Sequence, residues 1–118
     1  MSFELFKKVI DEIGKYAVII TLHNWGESFL NKDIYKMIEY AKSKKICTLI
    51  SSNLNTLTGE DIKRIIDYGL DKLIVSLDGA SSESYSAYRY GGDFNKVIRN
   101  IEMLVAIKKF TKTTNPYI

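Results

Sequence analysis

The feature that most constrains the fold of this chain is a regular exchange between two kinds of apolar pattern. Segments with apolar residues at helical spacing alternate with short runs of β-branched and apolar residues that show no inside–outside alternation. Such runs are typical of strands buried on both faces of a parallel sheet. The exchange repeats about every 25–30 residues, which favours βα units with right-handed crossovers. The sequence therefore predicts an α/β fold whose parallel sheet forms a layer or the arc of a barrel.

The predicted elements follow the order αβαβαβαα within a single domain, residues 1–118. The predicted strands are 17–23, 46–51 and 72–77, and the predicted helices lie around 3–13, 34–41, 62–66, 82–88 and 94–105. Gly14 and Gly69 stand where the first and third helices are expected to end. Thr58 with Asp61 forms a capping pattern at the start of the third helix. Ser81 or Ser82 is expected to cap the fourth helix, and Asp93 the fifth. Pro116 opens an apolar segment that predicts a fourth strand, truncated at the C-terminus. The chain is expected to be part of a larger fold.

Charge and apolar content exclude several classes of function. The net charge of +3 comes from lysines spread along the predicted helices, without interleaved aromatic residues, so nucleic-acid binding is not expected. The longest apolar runs fall far below the roughly 20 residues that span a bilayer. The N-terminus reads as a helix rather than a secretion signal. We expect neither membrane insertion nor export, and a cytoplasmic location is the default.

Potential metal ligands are few in this sequence. Cys47 is the only cysteine, which excludes an internal disulfide and a multi-cysteine metal site, and the apolar run after it predicts a buried, inert thiol. His23 is the only histidine, and without a second ligand nearby we expect a structural or peripheral role. Tyr85 and its neighbouring tyrosines are expected to pack rather than to stack on a ligand. We therefore expect no catalytic residue and no metal ligand in this chain.

Polar and small residues follow each predicted strand. Ligands of parallel α/β folds gather at the carboxyl ends of strands, where each strand leads into a loop and a helix. The first of these loops contains Gly26, which lets a ligand approach the backbone, and Glu27, which can accept hydrogen bonds from an ammonium group. Ser52 and Asn53 end the second strand, and the third leads into 76–80. Each pair alone is also common in ordinary turns, so the prediction rests on their combination at one sheet edge.

These segments resemble the radical S-adenosylmethionine enzymes. Residues 24–31 resemble the Gly-Glu-Pro segment of that family, 52–53 its Thr-Asn-Gly segment, and 75–79 its Ser-Leu-Asp-Gly segment. Residues 85–92 and 94–101 resemble its downstream pattern of Tyr, Arg, Gly-Gly, Phe, Val, Asn and Ile. The resemblance implies the arc of a partial TIM-type barrel. It also implies a parent enzyme that joins a four-iron four-sulfur cluster with S-adenosylmethionine to generate a 5′-deoxyadenosyl radical.

The resemblance also implies roles for particular residues. Gly26 and Glu27 would meet the methionyl ammonium, and Ser52 and Ser76 would lie near the carboxylate or the ribose. The further candidates for cofactor binding are Asn53, Asp78 and Arg89.

The sequence departs from the family at three points. Ser28 replaces the proline of Gly-Glu-Pro, which is expected to loosen the turn, and Leu54 replaces the glycine of Thr-Asn-Gly. The family binds its cluster through Cys-x3-Cys-x2-Cys, and this chain has a single cysteine. We expect the chain alone to be inactive, with neither cofactor tightly bound, as a fragment whose parent is a radical enzyme.

Two other functions remain open, together with one expectation about assembly. A non-catalytic α/β module would use the same loops to bind a small metabolite or a partner protein. Another barrel enzyme, such as a phosphate binder, is disfavoured because no glycine-rich phosphate loop occurs.

Self-association is predicted from surfaces that this chain leaves uncovered. They are the strand at 17–23 and an inner sheet face lined by 18–22, 48–50 and 73–75. The sequence does not indicate a substrate.

Overall fold

The sheet of this chain is parallel throughout, and helices connect its strands. A computed structural model describes all 118 residues. The strands are β1 (Ile19–Thr21), β2 (Cys47–Ser52) and β3 (Lys72–Val75), in the spatial order β1-β2-β3. The helices are α1 (Phe3–Ile13), α2 (Ile34–Ser43), α3 (Gly59–Asp67), α4 (Ser82–Tyr88) and α5 (Phe94–Thr111), with one 3₁₀ turn at Ser28–Leu30. The predicted α/β class and parallel sheet are confirmed.

Side-chain caps set the starts of α3, α4 and α5. Thr58 and Asp61 exchange hydrogen bonds at the start of α3, where Thr58 Oγ1 accepts from Asp61 N–H at 3.3 Å and Asp61 Oδ2 accepts from Thr58 N–H at 2.9 Å. Ser81 caps α4 in the same way, and Asp93 Oδ1 accepts from an N–H in the first turn of α5 at 3.0 Å. These bonds satisfy donors that the helix itself leaves free. The caps predicted at these positions are confirmed.

One face of the sheet carries the core, and the other is open. Along β2, Thr48, Ile50 and Ser52 are buried beneath the helices, while Cys47 and its alternate neighbours point to the open side. The main core joins the sheet to α2, α3, α4 and α5, and its residues are Ile34, Ile38, Ile50, Leu54, Leu57, Ile62, Ile65, Leu70, Leu73, Tyr85, Val97 and Leu104. The shortest dimension of the molecule, 21 Å, corresponds to one sheet and one helical layer.

One expectation about burial is confirmed and two are wrong. The first strand, expected to be uncovered in this chain, has Val18 77% and Ile19 56% exposed, because β1 has one neighbouring strand and an uncovered face. Cys47 is exposed rather than a buried thiol, because strand alternation directs it to the open side. The residues Thr48, Ile50 and Leu73, expected on the open inner face, are fully buried against the helices.

A single residue pair extends the sheet beyond β3. Tyr117 N–H donates to Asp71 O at 2.8 Å, and Tyr117 O accepts from Leu73 N–H at 2.8 Å, so Tyr117 pairs in parallel with Lys72. This pairing lies in the segment where the sequence predicts a fourth strand.

None of the helices combines the length and the apolar character needed to cross a membrane.

Candidate functional site

Two side chains continue the hydrogen-bond ladder between β1 and β2 beyond the end of β1. The last backbone bond from the β1 side is donated by Leu22 N–H to a carbonyl of β2, at 2.8 Å. Farther along β2, Ser51 N–H donates to His23 Nδ1 at 2.9 Å, and Asn53 N–H donates to Glu27 Oε2 at 3.1 Å. The loop after β1 is thereby fixed to the carboxyl end of β2, although its backbone has left the sheet.

The carboxylate of Glu27 is fixed on both of its oxygens. Oε2 accepts from Asn53 N–H, and Oε1 accepts from Phe29 N–H at 3.3 Å, where Glu27 caps the 3₁₀ turn. A carboxylate has about four acceptor positions, so two backbone donors leave capacity for a ligand. Glu27 therefore offers a positioned acceptor whose orientation does not depend on the ligand.

The neighbours of Glu27 shape this loop. Gly26 has a φ of +89°, in the left-handed region, and a Cβ built on it would meet no atom within 4 Å. The backbone conformation, rather than lack of space, therefore requires glycine there. Ser28 Oγ donates to Leu22 O at 2.8 Å and ties the two ends of the loop together. The hydroxyl supplies a bond that proline lacks, while the restriction that a proline ring places on φ is absent.

A polar cleft of about 190 Å³ lies where the loops after the three strands meet. No apolar residue lines it. The lining residues are His23, Asn24, Gly26, Glu27, Ser51, Ser52, Asn53, Ser76 and Arg89. Six of the seven residues selected from the sequence thus meet in one cleft. Sequence reasoning missed His23, Asn24 and Ser51 as lining residues, and their place at the ends of the first two strands was the available signal.

The seventh residue, Asp78, acts behind the cleft. Its Oδ2 lies 2.6 Å from both Nε and Nη2 of Arg89, so it fixes the guanidinium and offsets part of its charge. Across the sheet edge, the hydroxyls of Ser51 and Ser76 are hydrogen-bonded to each other at 2.9 Å. The cleft thus has a carboxylate on the β1 side and a paired guanidinium on the β3 side.

Two side chains, one at the end of β2 and one just after it, fix the local shape of the loop that follows. Ser52 Oγ accepts from Leu54 N–H at 3.0 Å, and Asn53 Oδ1 accepts from Asn55 N–H at 2.8 Å. Leu54 has a φ of +56° at the position where the resembled segment has glycine, and its side chain is fully buried in the core. Burial of a leucine side chain contributes about 1.5–3 kcal/mol, which offsets the roughly 1–2 kcal/mol strain of this backbone conformation.

The residues of this chain do not fit an iron–sulfur cluster. Thiolates hold such clusters, and no group of three or more His, Cys, Asp and Glu side chains is placed to bind a metal ion. Cys47 begins β2 and lies at the amino end of the strand, away from the cleft at its carboxyl end.

A parallel α/β arc with a polar cleft at the carboxyl ends of its strands defines a class of proteins that bind a ligand at this edge of the sheet. The family model of the Radical SAM superfamily matches residues 1–118. The chain belongs to this superfamily, and the resemblance found in its loops is confirmed.

Relatives with known roles are similar over most of the chain. The AdoMet-dependent heme synthase of Oleidesulfovibrio alaskensis is 28% identical over 105 residues, covering 88% of this chain and 27% of that protein. The mycofactocin maturase MftC of Mycobacterium tuberculosis is 28% identical over 106 residues, covering 90% of this chain and 27% of that protein. The chain therefore spans about a quarter of the length of these relatives.

The fold is similar to that of a solved enzyme structure. The crystal structure of BtrN in complex with AdoMet and 2-DOIA superimposes with a TM-score of 0.58 at 21% sequence identity, covering 77% of this chain and 40% of BtrN. At this level of identity the likeness concerns the fold. It agrees with the predicted arc of a partial TIM-type barrel.

Proposed function

We propose that the polar cleft binds the amino-acid end of S-adenosylmethionine, in an enzyme that cleaves this cofactor reductively. The observation that carries the proposal is the carboxylate of Glu27, fixed by two backbone N–H groups at the edge of the cleft. An ammonium group that meets a positioned carboxylate forms a charge-assisted hydrogen bond, about twice as strong as a neutral one. Membership of the Radical SAM superfamily supports the choice of ligand.

The other cleft residues suit the remaining polar groups of this ligand. Gly26 leaves space beside Glu27, because no atom lies within 4 Å of the position a Cβ would take. On the opposite side, Ser76 and Arg89 present a hydroxyl and a guanidinium to a carboxylate or to ribose oxygens. Asp78 keeps the guanidinium in place, and Asn53 fixes Glu27 through its backbone. Ser52 is assigned to shaping the loop.

The cluster that supplies the electron for this cleavage is, in our proposal, held by cysteines outside these 118 residues. Three thiolates are needed, and the chain has one, at the wrong end of β2. The 118 residues alone are then inactive and bind S-adenosylmethionine only weakly, because the iron that would anchor its amino-acid end is missing. The names of the relatives and the AdoMet in the BtrN complex support this assignment.

We further propose that the chain associates with itself along β1. Its free edge lies beside a groove of about 480 Å³, which α1, β1, the loop after β1 and α2 line with mostly apolar residues. The exposed apolar residues around this edge are Met1, Leu5, Val9, Ile13, Tyr16, Val18, Ile19 and Trp25. Unpaired strand edges and contiguous apolar patches both favour association.

Replacing Glu27 by glutamine tests the binding proposal. The change removes the charge and keeps an amide oxygen for one of the two backbone donors, so one of the two loop contacts is retained. We expect the affinity for S-adenosylmethionine to fall by about 1–3 kcal/mol, the scale of a lost charge-assisted hydrogen bond. Titration followed by NMR or calorimetry measures it.

The matched control is Glu102→Gln, which removes an exposed carboxylate from α5. This variant should bind like the original chain. If S-adenosylmethionine binds equally well to the Glu27→Gln variant, the ligand occupies another site and the proposal fails.

A further inference from the structure

The ring of His23 is held in one tautomer by the sheet. Ser51 N–H donates to Nδ1 at 2.9 Å, and a ring nitrogen that accepts a hydrogen bond carries no proton. The neutral ring therefore has its proton on Nε2, an assignment made from the hydrogen-bond geometry. Nδ1 of His23 thus takes the acceptor position that a strand carbonyl would have, and Nε2 on the other side of the ring is an N–H donor.

The Nε2–H group of His23 has no partner within the chain. His23 is half-buried and lines the polar cleft, and no buried side-chain nitrogen or oxygen of the chain is left without a partner. The Nε2 atom therefore keeps solvent-accessible surface, and the ring borders both the polar cleft and the groove beside β1. The other donors there are partly engaged: one of the Ser51 and Ser76 hydroxyls donates to the other, and Asp78 binds Nε and Nη2 of Arg89, which leaves Nη1 free.

His23 and Glu27 stand at a defined spacing along β2. Their anchors, the N–H groups of Ser51 and Asn53, are two residues apart, or roughly 7 Å at about 3.3 Å per residue. The cleft thus has a donor and an acceptor that are anchored to neighbouring N–H groups on the same edge of β2. An α-amino acid group, with a carboxylate and an ammonium on the same carbon, matches such a pair.

We propose that His23 is a positioning residue that donates from Nε2–H to the carboxylate of the methionyl group whose ammonium Glu27 accepts. This inference rests on the function proposed above. It gives the single histidine of the chain a ligand contact in place of the structural or peripheral role expected from the sequence.

Two substitutions separate the two sides of the ring. In His23→Asn the amide oxygen can replace Nδ1 as acceptor for Ser51, but no atom reaches the position of Nε2. In His23→Gln the amide nitrogen reaches that position. We expect His23→Asn to weaken S-adenosylmethionine binding about tenfold or more, the scale of a hydrogen bond to a charged group. His23→Gln should remain within about threefold of the original chain, a difference below 1 kcal/mol.

Decarboxylated S-adenosylmethionine provides the second half of the experiment. It retains the ammonium and lacks the carboxylate, so the original chain and His23→Asn should bind it equally, as in a double-mutant cycle. The ring nitrogens of the single histidine are also visible by NMR in the original chain. S-adenosylmethionine should shift the Nε2 signal, and the decarboxylated ligand should not.

Each contrary result identifies what has failed. If His23→Asn weakens both ligands equally, or neither, the carboxylate contact is wrong. If NMR places the proton on Nδ1 in the free chain, the donor assignment is wrong. If the original chain binds no S-adenosylmethionine, the proposed function itself has failed. If His23→Asn does not fold, the Nε2 shift in the original chain decides the question.

Discussion

At the scale of the residue, one buried amide on α5 supports the loop that carries Asn53. Asn100 is only 7% exposed, and its Nδ2 donates to Leu54 O at 2.9 Å and to Leu57 O at 3.3 Å. Both carbonyls belong to the loop between β2 and α3. The helix thus holds this loop from the core side, opposite the cleft.

Replacing Asn100 by leucine should destabilise the chain by about 2–4 kcal/mol. Two buried carbonyls lose their donor, and each unsatisfied group costs about 1–3 kcal/mol, reduced where water reaches it. Urea unfolding followed by circular dichroism measures the loss. Asn95→Leu, at an exposed position on the same helix, is the control and should stay within about 0.5 kcal/mol. Equal stability of both variants would show that the Asn100 bonds contribute little.

Candidate site residues could be predicted where residue type and position directly after a strand are enough to select them. Gly26, Glu27 and Ser76 could be selected because each follows a strand in a parallel fold. The bonds of His23 and Asn100 could not, since their partners lie 28 or more residues away in sequence.

At the scale of the element, the first turn of α3 concentrates hydrogen bonds on one carboxylate. Burial alone would raise the pKa of Asp61, but hydrogen bonds from Thr58 and from the Tyr35 hydroxyl outweigh it and hold the pKa below the ordinary value of 3.8. Burial, and next the charge of Asp61, raise the pKa of Tyr35 well above its usual 10.0. The phenol therefore remains a donor to Asp61 throughout the neutral range.

This cap makes the stability of the chain depend on pH. The pKa of Asp61 is lower in the folded state, so its stabilising contribution is complete above about pH 4 and is lost as the pH falls through the folded value. Asp61→Asn should lower the free energy of unfolding by about 0.5–2 kcal/mol at pH 7, the range for a lost helix cap. The difference from the original chain should shrink below pH 4.

Thermal unfolding at pH 7 and at pH 3 measures this change. Asp67→Asn, at the other end of α3, is the control without the cap. A gap between the original chain and Asp61→Asn that is the same at both pH values would contradict the assignment.

Element types were predictable from periodicity, and helix starts from their caps. The lengths of the strands were less predictable than the types of the elements. The predicted strand at 17–23 shortens to Ile19–Thr21: Val18 and Leu22 each keep one backbone bond to β2, and beyond Leu22 side chains replace the backbone partners. The third strand ends at Val75 rather than at 77, and one further backbone bond, from Ser76 N–H to Ser52 O at 2.9 Å, follows it. Pairing between distant segments sets these limits, and local sequence does not report it.

At the scale of the whole molecule, apolar surface remains exposed along one side. Leu5 is 50%, Val18 77% and Ile19 56% exposed, beside the free edge of β1. No other element of the chain covers this side. We therefore expect the chain to form a dimer or larger oligomer through β1.

Light scattering over a concentration series tests the association. Oligomers should be present at about 100 μM, where an association of about 5–6 kcal/mol becomes visible. Val18→Lys should shift the chain toward the monomer, because a lysine at a strand edge opposes pairing. Phe110→Lys removes an equally exposed apolar residue at the far end of α5 and should leave the oligomer intact. A chain that stays monomeric at 100 μM would exclude association through β1.

The ladder that His23 and Glu27 complete means that fold and ligand depend on the same atoms. Each side chain satisfies an amide of β2, and in our proposal each also contacts the bound amino-acid group. Selection for a stable sheet and selection for ligand recognition then act on the same two positions. Most stabilising substitutions are neutral for activity because they lie elsewhere. A substitution at either position would here impair both the sheet and the ligand contact. Each of the two requirements is therefore expected to keep these residues unchanged during evolution.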